Sequence, residues 1–355
     1  MREAPPRVWL LFGGKAGDNN QVLALAEALG WPFEVKRLVH RPWELAANLV
    51  LRVTLAGIDR RRSSPLEPPW PDLVIAAGRR NEPVARWIRR RSGGRARLVH
   101  VGRPWAHPRC FDLVVSTPQY FLEPGPGVHL AHLPLHRITA GRLAECTERP
   151  SWAALPLPWT GVLLGGDSGP FAFTAAKARR LAALVDRLAA ARGGAVVALP
   201  SRRTPPPAWD AFRASLKAPA WWPEGDTGDA YFALLATADA LVVTAESMSM
   251  VAEAAATGKP LWLFDLGDAG WWGWHRHNWT VRSLSHRLAQ VAAPRRLRRD
   301  VARITASLVA EGRARWLEEG VEPPPAPRPE LDGEEAARAA ARVRALFAAD
   351  LRRPA

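Results

Sequence analysis

Between Leu241 and Phe264 the chain reads LVVTAESMSMVAEAAATGKPLWLF. Leu241-Val242-Val243 is an apolar run of strand length, and Thr244 to Ser247 is small and polar. Met248 to Ala256 consists of helix formers with one carboxylate, Glu253. Thr257-Gly258-Lys259-Pro260 halts that helix before a second apolar run, Leu261 to Phe264. A strand–loop–helix–turn–strand unit of this kind buries its apolar runs in a parallel sheet covered by helices, which constrains the chain to an α/β architecture. The polar loop falls at the carboxyl end of its strand, where open α/β sheets bind ligands. Ser247 stands at the N-cap position, so the N–H groups after it point outward and favour an anion. Glu253, about two turns into the helix, comes within reach of a ribose if a nucleotide lies across the loop.

The rest of the chain repeats this alternation. Val8 to Phe12 reads as a buried strand, Gly13 to Asn20 as a glycine-rich loop holding Gly13, Gly14, Lys15, Asp18 and Asn19, and Gln21 to Leu29 as a helix stopped by Gly30. The loop is neither a Walker A motif nor a complete GxGxxG, which leaves a tight strand-to-helix turn and an anion cradle both open. Asp72 to Ala77 is a strand, and Gly78 to Asn81 a turn opening a helix from Glu82 to Arg90. Arg79 and Arg80 there are either a phosphate clamp or rim charges. Leu98 to Val101 and Phe111 to Val115 are further strands, completing a first doubly wound domain over residues 1–147. Residues 148–160, rich in proline and tryptophan, read as a linker.

A second domain, residues 161–322, opens with a strand at Gly161 to Leu164, a loop GGDSGP, and a helix from Thr174 to about Arg192. Ala195 to Leu199 is a strand followed by PSRRTP, and Tyr231 to Ala238 is a helix leading into the Leu241 unit. Three sets of residues therefore fall at carboxyl ends of strands in one sheet: Gly165, Gly166 and Ser168; Ser201, Arg202 and Arg203; Glu246, Ser247, Met248 and Ser249. Residues 323–355 form a proline-rich connector and an amphipathic helix, Glu334 to Leu351, capped by Asp332 and expected to cross back to the first domain.

A length of 355 residues suits two such domains. The net charge of +15, almost all from arginine, asks for anionic partners: nucleotide phosphates, acidic lipid headgroups or nucleic acid. Nucleic acid is set aside because no recognition motif is present and the arginines are dispersed. Cys110 and Cys146 supply neither metal spacing nor a disulfide framework, so no disulfide partner is expected and a reducing compartment fits. His129, His132 and His136 lack partner carboxylates, and no metal is expected. The start, MREAPPRVWLLFGG, lacks a signal-peptide layout, and no apolar run has membrane-spanning length, so a cytoplasmic location is expected. Trp43 to Ile58, followed by Arg60-Arg61-Arg62, reads either as a buried helix with a solvated basic loop or as a helix lying on an anionic membrane surface. The cluster WWGWHRH at Trp271 to His277 is either a stacking surface for a base, sugar or acyl chain or an apolar plug. Leu284 to Leu308 looks helical and basic.

GGKAGDNNQ, PDLVIAAGRR, FDLVV, LLGGDSGPF, SRRTP and TAESMSMVAEAAATGKP, in this order, resemble the bacterial and plant family named after the plant mitochondrial fission factor ELM1. Glu246 stands where that family commonly has Asp. The second half also resembles GT-B glycosyltransferases of the lipid II type, through Gly165–Gly169 and the series Ser247, Glu253, Gly258, Pro260. The resemblance implies two Rossmann-like domains facing across a cleft, with a nucleotide-sugar donor on the second domain and an acceptor at the Gly13–Gly17 loop of the first. It implies glycosyl transfer with no cofactor and no obligatory metal, the nucleotide-sugar being a co-substrate and the acceptor an envelope lipid or saccharide. Gly166, Ser168, Arg202, Ser247 and Ser249 would hold the diphosphate, and Glu253 the ribose. Asp18 would be the general base, with Asp167 and Glu246 as rivals. The family name implies a different class as the alternative, a non-catalytic adaptor at a membrane surface.

Overall fold

The computed structural model describes residues 5–42, 52–146, 150–169, 171–225, 228–267, 292–295, 298–325 and 334–350. The chain divides into two compact units. One comprises Met1–Arg137, Arg295–Leu297 and Gly333–Ala355, the other Ile138–Pro294 and Arg298–Asp332.

In the first unit, β1 (Val8–Phe12), α1 (Ala16–Leu29), β2 (Phe33–Arg37), β3 (Leu73–Ala77), α2 (Gly78–Arg91), β4 (Arg97–Val101), β5 (Leu113–Ser116) and β6 (Val128–Leu130) follow in order. The second contains α3 (Ala140–Ala144), β7 (Trp159–Leu164), α4 (Ala175–Arg192), β8 (Ala195–Pro200), α5 (Pro206–Ser215) and β9 (Ala220–Trp221). It continues with α6 (Gly228–Thr237), β10 (Ala240–Thr244), α7 (Met248–Ala256), β11 (Leu261–Phe264), α8 (Ala302–Ala310) and β12 (Arg315–Trp316). A last helix, α9 (Glu334–Asp350), returns to the first unit.

Each unit is built on a parallel six-stranded sheet, the α/β architecture expected for a GT-B-like chain. The strand orders are β2-β1-β3-β4-β5-β6 and β12-β11-β10-β7-β8-β9. The order reverses between β1 and β3 in the first sheet and between β7 and β10 in the second. At such a point the two flanking helices leave on opposite faces, so the loops part and open a crevice at the strand ends.

Both faces of each sheet are covered, which is why the strands are apolar runs rather than alternating patterns. In the first unit Val8, Leu10, Leu73 and Ile75 pack with Val22, Leu25 and Leu29 of α1 and with Ala336, Ala339, Ala340 and Val343 of α9. That α9 spacing is one helical stripe. Trp9, Leu11, Val74 and Ala76 meet Val84, Ala85 and Ile88 of α2 on the opposite face. In the second unit Val162, Leu164, Val196, Val242 and Trp262 pack under Leu181, Val185 and Leu188 of α4 and Phe212 of α5.

Four local expectations change. The loop expected over Gly13–Asn20 is short, because α1 begins at Ala16 and places Asp18 and Asn19 in its first turn. The Asn19 side chain brackets Gly13, accepting its N–H at 3.0 Å and donating to its carbonyl at 2.9 Å, and this polar clasp starts the helix early. Gly78 to Asn81 are likewise helical. Gly78 has φ 75°, a left-handed conformation that turns the chain out of β3 directly into α2. Residues 52–58 are turns rather than helix, with Ile58 in an antiparallel bridge to His40, while the rest of the Trp43–Ile58 segment lies outside the described residues. In the stretch read as a helix from Leu284 to Leu308, residues 298–300 are not helical and α8 starts at Ala302. Trp152, in the proline-rich stretch before β7, is buried against Trp221 of β9 with ring centroids 5.0 Å apart. The Trp271–His277 cluster and Asp332 lie outside the described residues.

Candidate functional site

The loops after β7, β8 and β10 meet at the reversal point of the second sheet, since β7 lies between β10 and β8. They are knitted by short polar contacts. Thr244, the last residue of β10, accepts the Gly165 N–H on Oγ1 at 2.7 Å, and Oε1 of Glu246 accepts the Gly166 N–H at 2.8 Å. The Thr204 hydroxyl lies 2.9 Å from the Leu164 carbonyl oxygen and 2.5 Å from that of Gly165, and its oxygen accepts the Ser201 N–H at 2.9 Å. Both glycines are required by close approach. A Cβ on Gly165 would overlap the Glu246 carboxylate, and one on Gly166 would overlap the Arg203 carbonyl.

Arg203 joins all three loops. It donates to the Asp167 carbonyl at 3.3 Å and to Ser247 Oγ at 3.0 Å, and its guanidinium lies 3.6 Å from Glu246 Oε1. Ser247 is the N-cap residue of α7, yet its side chain makes no capping bond because it serves Arg203. The first bond to the Ser247 carbonyl comes from Val251, which leaves the Met248 and Ser249 N–H groups without an acceptor among the described residues. Arg202 is exposed on the same turn as Arg203. Ser168 Oγ accepts from Arg299 at 3.5 Å. Lys177, a buried lysine of α4, ties the segment after the glycine loop to the segment after β11 by donating to the carbonyls of Ala172 (3.0 Å) and Leu266 (2.5 Å).

Glu246 is only 2% exposed. Burial pushes its carboxyl above the ordinary carboxylate range, against the opposing pull of Arg203, the Gly166 N–H and the Thr244 hydroxyl. Its second oxygen, Oε2, is enclosed and makes no hydrogen bond among the described residues. Glu253 is also buried and accepts a hydrogen bond from the Tyr231 hydroxyl of α6. Burial first, and Glu253 second, push the Tyr231 hydroxyl well above its usual range. Lys259 donates to the Ala236 carbonyl at 2.7 Å, and burial lowers it to about 8. Tyr231→Phe leaves a buried Glu253 oxygen without this donor. We expect it to cost about 1–3 kcal/mol, read as a lowered unfolding midpoint in urea with an unchanged slope.

The first-unit candidates gather at the other reversal point. The Asn19 side chain brackets Gly13. A Cβ on Gly13 would sit 3.1 Å from the His40 ring and 3.2 Å from Asn81 Oδ1, whereas Gly14 faces open space. Lys15 is the exposed N-cap residue of α1. Asp18 lies over α2, close enough that a Cβ on Gly78 would come within 2.7 Å of its Oδ2. Asn81 donates from Nδ2 to the Leu11 carbonyl at 3.0 Å, and its buried Oδ1 has no partner among the described residues.

Thr244, Tyr231, Asn81 and Lys177 were not singled out by sequence, whereas Thr204 closes the Ser201–Thr204 cluster read there as a phosphate grip. Thr244 carried a signal, a hydroxyl in the loop region of a strand bordering a glycine loop. Tyr231 carried none, because its bond to Glu253 joins two separate helices.

A family model described as mitochondrial fission ELM1 matches residues 16–347. The chain is 24% identical over 293 residues to an uncharacterized protein of Rickettsia prowazekii, covering 72% of this chain and 82% of that one. It is 26% identical over 250 residues to the mitochondrial fission protein ELM1 of Arabidopsis thaliana, covering 62% of this chain and 58% of the plant protein, less than two thirds of its length. Among solved structures it is similar to the UDP-GlcNAc 2-epimerase of Neisseria meningitidis bound to UDP-GlcNAc. The TM-score is 0.51 at 12% identity, with 97% of this chain and 100% of that chain covered. At that identity the likeness is one of fold.

Proposed function

The chain belongs to the mitochondrial fission ELM1 family, and on that premise we propose that it is a GT-B-type glycosyltransferase whose second unit binds a nucleoside-diphosphate sugar. The observation that carries this reading is Arg203. It draws three strand-end loops together beside the open N–H groups of α7, at the reversal point where α/β sheets take phosphorylated ligands. The Met248 and Ser249 N–H groups, the Ser249 hydroxyl, Arg202 and Arg203 would stabilise the charge that builds on the leaving diphosphate, without a metal. Glu253, held by Tyr231, would receive the ribose hydroxyls. Asp18, in the first turn of α1 of the first unit, would be the base for an acceptor hydroxyl drawn from an envelope lipid or saccharide.

The test is a thermal-shift series in EDTA with UDP, GDP, CMP, ADP and dTDP and their sugar conjugates. UDP comes first because the Neisseria epimerase is bound to UDP-GlcNAc. A selective rise in melting temperature with one nucleotide is expected. In Arg203→Ala the affinity for that nucleotide should fall roughly 10- to 100-fold, the worth of a charged hydrogen-bonded contact. Unaltered melting with every nucleotide at millimolar concentration would refute the donor site. It would favour a second reading, a non-catalytic adaptor at a membrane surface. One observation supports that alternative: Gly166, Arg203, Glu246, Ser247 and Glu253 already bond one another or Tyr231, as a self-contained scaffold would. No helix among the described residues is long and apolar enough to cross a membrane.

A further inference from the structure

The donors that would cradle a diphosphate already hold an anion of the protein's own. Oε1 of Glu246 takes the Gly166 N–H at 2.8 Å and lies 3.6 Å from the Arg203 guanidinium. The carboxylate lies so tightly over Gly165 that no Cβ fits between them. Glu246 is also the residue just before the N-cap of α7, so its charge and an incoming diphosphate would share one helix terminus. Two like charges in one enclosed site do not both stay ionised. Oε1 is committed as an acceptor, whereas Oε2 is buried and unbonded, which makes Oε2 the place for a proton.

We propose that Glu246 is a proton-coupled element of the diphosphate site: the anion binds with Glu246 neutral, its proton taken from solvent onto Oε2. The inference rests on the diphosphate reading above. Among the described residues the charged groups around Glu246 are few. Arg203, on the turn after β8, is the cation in contact, and Arg202 adjoins it on the same turn. Asp167, after β7, turns its carboxylate to the Phe173 N–H at 2.9 Å. Arg299 reaches that same loop at Ser168, and Glu253 on α7 is engaged by Tyr231. Thr244, at the end of β10, contributes only a hydroxyl. Burial already favours the neutral form of Glu246 before any ligand arrives.

The experiment is titration calorimetry of the full chain with UDP, and with inorganic pyrophosphate as a probe lacking base and ribose. It is run at pH 6, 7 and 8, in two buffers of different ionisation enthalpy, on the native chain and Glu246→Gln. The native chain should take up close to one proton per UDP at the highest pH. Its affinity should fall up to about tenfold per pH unit once Glu246 is ionised in the free protein. Glu246→Gln, which keeps an acceptor for Gly166 and is neutral throughout, should show no such uptake and should bind more tightly than the native chain at pH 8. Identical proton uptake and pH slope in the two proteins would overturn the inference while leaving the nucleotide site standing. Absence of binding by either probe to either protein would overturn both. If Glu246→Gln does not fold, infrared difference spectra of the native chain with UDP decide the matter. A new protonated-carboxyl band on binding supports the inference, and its absence overturns it.

Discussion

The second unit of a Gly166→Ala variant is expected to melt roughly 6–12 °C below that of the native chain. The added methyl would overlap the Arg203 carbonyl and crowd the Thr204 nitrogen, all of it backbone, so no side-chain rotation relieves the clash. Overpacking costs about 1–3 kcal/mol where neighbours can shift, and an obstructing main chain places this site at the upper end. The turn that would have to retreat is held by the Thr204 hydroxyl against the end of β7, so a shift there loosens β7 and β8 together. Gly141→Ala is the internal control. It lies in α3 of the same unit with open space around its Cα, and should be neutral or stabilising by up to about 1 kcal/mol. Differential scanning calorimetry of the two variants reads this directly. Equal melting temperatures would mean that the β7 and β8 turns are not packed as described.

Val343→Asp should release α9 from the first unit. Val343 is fully buried, in one stripe with Ala336, Ala339 and Ala340 against α1. Losing the valine contact costs about 1.5–3 kcal/mol. Keeping an ionised carboxylate there would add several kcal/mol more, so the helix detaches rather than hold it in place. Detachment also breaks the bonds from Arg344 to the carbonyls of Ala28 and Leu29 (2.8 and 3.0 Å) and the packing of Phe347 on Trp31. Trypsin should then cut the freed arginine-rich helix many times faster than in the native chain, and the exposed face of α1 should bind a hydrophobic dye. Native protease resistance in this variant would contradict the packing of α9.

Much of this was readable before any coordinates. Met248 to Ala256 and Leu261 to Phe264 coincide with α7 and β11, because an apolar run closed by Thr-Gly-Lys-Pro leaves one reasonable chain path. That three loops share one sheet edge follows from parallel strands alone, since each strand must end on the same side. Helix starts were less legible. Asn19 clasping Gly13, and the left-handed Gly78, are side-chain and backbone details that periodicity does not carry. Least legible was what the loops do to each other. Glu246 and Gly166 stand 80 positions apart, and no local pattern says that the carboxylate of one closes the N–H of the other. Glu246, read from sequence as one polar residue of a strand-end loop, is a buried side chain that fastens two loops.

The stripe on α9 also bears on how the protein is made. Part of the first unit's core comes from residues 334–350, which leave the ribosome only after the whole second unit. Domains usually complete themselves in the order in which they are synthesised. Here that order is inverted. The earlier unit waits with the apolar face of α1 bare while the later one closes, and its final step joins residues more than 300 positions apart. During that interval the nascent chain is a client for whatever shields apolar helices in the cell, and premature termination anywhere in the second unit strands the first one unfinished.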